Sequence, residues 1–287
     1  MEEPFVGSEA LAAGITRHQL RTRYMAIHWG VYVTVGTEPT PVLRAKAAWL
    51  RSRRRGVLAG FSAAAMHGAR WIDSDQPACV IDENHRPERG IVVWRDDVLD
   101  DEIWLIDGIR VTNPIRTAID LACRFPPKVS IPAIDALLRA TKRTRADVLA
   151  ALPRHAGRKG IVRARKAIAL VDGAAQSRKE TWLRLLFLKA GYPWPEAQCI
   201  VYDDFGAEIG HVDGGWRDRK IGYEYQGEHH TDIEQLTYDI RRVDAMREMG
   251  WIILQFTCRD GTAAILARLA KAWAAQSGSG VEDRSAM

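Results

Sequence analysis

Gly210-His211-Val212-Asp213-Gly214-Gly215-Trp216, then Lys220-Ile221-Gly222-Tyr223-Glu224-Tyr225-Gln226-Gly227-Glu228-His229-His230, is the stretch that decides how this chain reads. It predicts two adjacent strands joined by a short turn near Trp216–Arg219. Glu224 and Gln226 are two apart on a strand and so point to one face. Asp213 ends the preceding strand. Two carboxylates converging at one sheet edge form a hard oxygen site suited to Mg²⁺ or Mn²⁺. A metal held there polarises a scissile phosphate and activates water. Ordinary surface acids on an exposed hairpin are the plainer alternative. Against it, Val212, Ile221, Tyr223 and Tyr225 surround the acids, and an unpaired carboxylate is costly in apolar surroundings.

Outward from the hairpin, residues 177–276 predict one module. Its order is helix (179–190), strands (199–203, 208–214 and 220–226), helix (233–249), strand (251–257) and helix (263–275). Ile233, Leu236, Ile240, Val243 and Met246 or Met249 fall at helical spacing. Trp251–Phe256 is nearly continuously apolar, as in a strand covered on both faces. Ser177-Arg178-Lys179-Glu180 is a capping box, which explains Glu180 without catalysis, although its helix directly precedes the sheet. His229 and His230 end the hairpin. Either could exchange protons near neutral pH, His211, Asp213 and His230 could instead hold zinc, or the pair is simply surface.

Residues 1–36 predict a winged helix-turn-helix head. Ser8–Gly14 is a short helix closed by glycine, Thr16 caps a second helix, and Trp29–Val35 takes the place of a wing. The second helix carries Arg17, His18, Gln19, Arg21 and Arg23, side chains that reach phosphates and base edges. Such heads also dock proteins. Residues 37–124 predict a mixed α/β region with helices across 40–70 and from 114, and short strands between 79 and 111. Ser62 and His67 lie on different helix faces and read as core or capping residues. Phe125-Pro126-Pro127-Lys128 marks a hinge candidate, 125–176 a basic helical linker and 277–287 a disordered tail.

The net charge is +5, but placement matters more: residues 123–180 hold 14 Lys/Arg against 4 Asp/Glu. Arg154, Arg158, Lys159, Arg163, Arg165 and Lys166 cluster there. A concentrated basic stripe is the footprint of phosphate binding, though a solvated helix surface has the same composition. No window nears 18 uncharged apolar residues, so no membrane partner is expected. The acidic start Met1-Glu2-Glu3-Pro4 lacks a signal core. Cys79, Cys123, Cys199 and Cys258 form no CxxC pair and fit reduced thiols, so a cytoplasmic location is expected.

The order Glu180 … Asp213 … Glu224-x-Gln226 … His230 resembles the PD-(D/E)xK nuclease superfamily, in its very-short-patch-repair (Vsr) endonuclease-like branch. Asp213 stands at the first acidic position and Glu224 at the second; Asp239, Arg242 and the strand after Gly250-Trp251 strengthen the likeness. The N-terminal part resembles AbiEi-type antitoxins of abortive infection, through Trp29-Gly30-Val31-Tyr32, Ser62–Gly68 and Val111–Ala122. Together these likenesses imply an α+β chain: winged helix, mixed α/β middle and α/β restriction-endonuclease-like C-terminal domain. They imply a Mg²⁺- or Mn²⁺-dependent deoxyribonuclease with Asp213, Glu224 and the Tyr225 carbonyl holding the metal. Gln226 would position water, His230 would assist proton transfer, and Glu180 would be a ligand or support one. The basic segment would hold the DNA backbone. One departure counts: the usual motif ends in lysine, and a Gln226 amide carries no charge. The rival expectation is a non-catalytic, antitoxin-like regulator that binds operator DNA or a toxin partner. An RNA-acting nuclease on the same scaffold is a third.

Overall fold

The computed structural model describes residues 3–84, 88–227 and 233–278. The chain is α+β and divides into two compact units, Met1–Gly173 and Ala174–Met287. No helix among the described residues is long and apolar enough to cross a membrane.

The first unit opens with β1 (Phe5–Val6), α1 (Gly7–Ala12), α2 (Arg17–Arg23) and the hairpin β2 (Tyr24–His28) and β3 (Val31–Thr34). These strands form a sheet in the order β1-β3-β2. Thr16 caps α2: the Gln19 amide donates to Thr16 Oγ1 at 3.2 Å, and the Thr16 amide donates to Gln19 Oε1 at 2.8 Å. This reciprocal pair satisfies donors that a helix start leaves open.

Next come α3 (Pro41–Arg51), β4 (Val57–Leu58), α4 (Gly60–Met66), β5 (Ala78–Ile81), β6 (Ile91–Trp94), β7 (Ile103–Ile106) and β8 (Ile109–Thr112). They build a mixed sheet in the order β6-β5-β4-β8-β7. Two-residue β4 lies at its centre, yet it is too short to show any period in the sequence. Ala45 and Ala48 of α3 and Ala63 of α4 pack with Leu58, Val80 and Val111, so small side chains bring these helices close to the sheet. Ser62 and His67 have structural partners. The Cys79 amide donates to Ser62 Oγ at 2.9 Å, and His67 Nε2 lies 2.8 Å from the Thr112 carbonyl.

Helices α5 (Pro114–Arg124), α6 (Pro127–Thr141), α7 (Arg145–Ala151) and α8 (Ile161–Ile168) complete the unit. Phe125 and Pro126 join α5 to α6 inside it, and the division between units falls at Gly173 instead. The prolines end one helix and start the next without separating two cores. Beside α5 lies a buried ionic cluster. Arg116 reaches Glu102 at 2.5 Å and Asp120 at 3.0 Å, and Arg158 contacts both Asp120 and Asp96.

The second unit runs α9 (Arg178–Lys189), β9 (Glu196–Tyr202), β10 (Glu208–Trp216), β11 (Ile221–Tyr225), α10 (Ile233–Glu248), β12 (Ile252–Phe256) and α11 (Thr262–Gly278). Its sheet order is β12-β11-β10-β9, antiparallel except for the parallel pair β11 and β12. One core joins Trp216, Ile221, Tyr223, Leu254 and Phe256 to Leu183 and Phe187 of α9 and Ile265 and Leu269 of α11. A second joins Cys199, Val201, Val212 and Ile253 to Val243 and Met246 of α10. Helices therefore cover both sheet faces, which is why 251–256 is apolar except for Gln255. Each fully buried side chain of this size contributes about 1.5–3 kcal/mol. Ile240, expected on the apolar stripe of α10, is instead 53% exposed.

Candidate functional site

The hairpin β10–β11 sets the site. Gly214 pairs with Tyr223 and Gly215 with Gly222, so continuing the antiparallel register puts Asp213 opposite Glu224. The Tyr225 amide donates to Asp213 Oδ2 at 2.7 Å, which pins that carboxylate to the neighbouring strand. These residues line an open cleft of about 550 Å³, together with Gly210, His211, Gln226 and, from α10, Tyr238, Asp239 and Arg242.

Glu224 is buried and held on both oxygens. Arg242 Nη2 donates to Oε1 at 2.6 Å and Gln255 Nε2 to Oε2 at 3.2 Å, with Gln226 Nε2 further off at 3.4 Å. The Gln255 contact follows from the parallel register that pairs Glu224 with Gln255. Arg242 also donates to the His211 carbonyl at 2.6 Å.

Glu180 is buried near the start of α9. Its amide donates to Ser177 Oγ at 3.1 Å, which is half of the expected capping box. Its carboxylate reaches elsewhere, accepting from the Gln176 amide at 2.7 Å and Gln198 Nε2 at 3.1 Å. Gln198 has a φ of +50° within β9, at the position facing Asp213 in the register. Such backbone is uncommon for a side chain other than glycine and is stored most often beside functional groups.

The electrostatics follow from this crowding. Burial pushes Asp213 up to about 7, against the pull of the Tyr225 amide, and the charges on Glu180 and Glu224 push it the same way. Arg242 pulls it down, but less. A carboxyl that titrates near neutrality can accept a proton from water at working pH. It is also a place where a cation would be favoured.

Glu180, Asp213, Glu224 and Gln226 thus come together in the second unit. His229 and His230 lie outside the described residues. His211 lines the cleft, but among the described residues no group of three or more His, Cys, Asp and Glu is arranged to hold a metal. Gln198 and Gln255, which orient the acids, carry no motif in the sequence. Arg242, named with Asp239 in the resemblance, also lies one turn before buried Met246, a cation on a buried stripe.

The expected DNA contacts divide by environment. Arg17, His18, Arg21 and Arg23 are exposed on α2 or at its end, whereas Gln19 caps its own helix. Lys159, Arg165 and Lys166 are exposed. Arg154 pairs with Asp101 at 2.8 Å, Arg158 belongs to the buried cluster, and Arg163 donates to the Cys123 carbonyl.

No protein-family profile matches the chain, and no solved structure matches it. Two uncharacterized proteins of Mycobacterium tuberculosis, from strains CDC 1551 / Oshkosh and ATCC 25618 / H37Rv, are each 31% identical to it over 156 residues. That alignment covers 54% of this chain and 57% of each relative, so the chain spans a little over half the length of the curated relatives it matches.

Proposed function

We propose that the second unit hydrolyses phosphodiester bonds in DNA, using Mg²⁺ or Mn²⁺ held by Asp213, Glu224 and the Tyr225 carbonyl. The observation that carries this reading is the meeting of Asp213 and Glu224 at one open cleft, with Glu180 close enough to raise Asp213. The order helix, three antiparallel strands, helix, parallel strand supports the likeness to Vsr-like PD-(D/E)xK nucleases.

The residues fit such a metal. Their donors are oxygens, which suit hard cations rather than zinc. Mg²⁺ is commonly bound by one or two carboxylates completed by water and phosphate, so it needs no larger protein cage. Asp213 forms no ion pair among the described residues, and burial first, then the Glu180 and Glu224 charges, disfavour its bare carboxylate. The bound cation would polarise the phosphate of the substrate.

The chain's own groups supply the rest. The Tyr225 amide fixes the Asp213 carboxylate in the cleft, where it can hold the cation. The Gln226 amide orients that water without adding charge. Gln198 and Gln176 hold Glu180 behind the site. In the first unit, exposed Arg17, Arg21 and Arg23 on a helix followed by a hairpin support binding to the DNA backbone.

Gln226 in place of lysine favours a second reading, a non-cutting antitoxin-like regulator that binds operator DNA or a toxin partner. Incubating end-labelled single- and double-stranded DNA with the protein and Mg²⁺ or Mn²⁺ separates the two. Cleavage that is abolished by Asp213→Ala and by Glu224→Ala, with DNA binding retained, supports the nuclease. A gel shift with no cleavage under either metal supports the regulator.

A further inference from the structure

The cleft holds a positive charge where the linear motif has none. Arg242 is the one Lys or Arg among the described residues that line it. Its guanidinium is clamped between Glu224 Oε1 and the His211 carbonyl, each at 2.6 Å, with Asp239 3.7 Å from Nε. The side chain is only 13% exposed, so it does not wander. Gly210 makes room for it: a Cβ there would stand 2.9 Å from Arg242 Cδ. A guanidinium has five donors, and these two short bonds use one each from Nη1 and Nη2. Donors remain for an anion in the cleft, and a planar fork suits phosphate oxygens.

We infer that Arg242, arriving from α10, binds the scissile phosphate and supplies the charge that Gln226 cannot. This rests on the phosphodiesterase reading above. In the ground state Arg242 holds Glu224. As substrate enters, its remaining donors meet the non-bridging oxygens, where negative charge grows as water attacks. A donor already fixed at that point costs no reorganisation as the charge develops.

The test uses the full chain and a duplex whose phosphorothioate linkages resist hydrolysis. Arg242→Gln should lower the slope of log affinity against log salt by about 1, the signature of one lost phosphate contact. On ordinary DNA its kcat should fall about 100-fold with a smaller change in KM. Arg242→Gln combined with Gln226→Lys should regain at least about tenfold of that loss, because the charge returns from the other side. Arg242→Lys should keep the salt slope. Thermal melts identify any variant that has lost its fold, and Arg242→Met, with the same expected loss of slope, then takes the place of Arg242→Gln. An unchanged slope for folded Arg242→Gln overturns the inference, as does a folded double variant no better than the single one. If the wild type cuts nothing, the phosphodiesterase reading fails, while the salt slope still decides whether Arg242 touches phosphate.

Discussion

The backbone amide of Tyr225 donates to Asp213 Oδ2 at 2.7 Å, so the strand that carries Glu224 also fixes the other acid. Glu224 is held in turn by Arg242 of α10 and Gln255 of β12. The local pleat and the chemistry of the site are one arrangement.

Asp213 makes stability depend on pH in a defined direction. Burial raises its folded pKa from 3.8 to about 7, so the folded state holds a proton that the unfolded state has released. The associated stability is fully present below about 4 and is lost as pH rises toward 7. Asp213→Asn should therefore stabilise the chain at pH 8, by about 2–4 kcal/mol at most, and the gain should vanish near pH 4. Paired urea melts of both proteins across that range check it. Mg²⁺ at pH 8 should raise the Tm of the wild type and leave the variant unmoved.

The hairpin was legible in the sequence because its two acids stand at strand spacing among apolar neighbours. Strands expected over 208–214 and 220–226 are Glu208–Trp216 and Ile221–Tyr225. What was not legible depends on three-dimensional pairing. Gln255 meets Glu224 only through the parallel register of β11 and β12, and Gln198 reaches Glu180 through an irregular backbone. The hinge read at Phe125–Lys128 illustrates the converse. Local proline chemistry is strong there, but the packing of α5 and α6 runs across it. Arg158 counts as surface charge in a sequence, and only the fold reveals its acids.

The ionic cluster of the first unit should behave as a structural unit. Asp120 is fully buried between Arg116 and Arg158. Removing one partner leaves the others uncompensated, at a cost of about 3–5 kcal/mol. Arg116→Ala and Asp120→Ala should each lower stability by that order in denaturant melts. Arg116→Lys should also destabilise, because an ammonium cannot span Glu102 and Asp120 as the guanidinium does.

Basic residues should separate into two classes under salt titration. Arg17, Arg21 and Arg23 form no ion pair among the described residues, so alanine at each should weaken DNA binding and reduce the salt slope by about 1. Arg158→Ala should instead reduce thermal stability while leaving the slope of the protein that remains folded unchanged. Fluorescence anisotropy across a salt series, alongside melts, distinguishes the classes. Equal slopes for the wild type and Arg21→Ala would remove α2 from the DNA-binding surface.

A divalent cation between Asp213 and Glu224 is the centre of the proposed chemistry, and anomalous diffraction from crystals soaked in manganese locates it. A peak is expected within coordination distance of both carboxylates and should be lost in Asp213→Ala crystals. A well-ordered cleft with no anomalous peak at saturating manganese would contradict that chemistry.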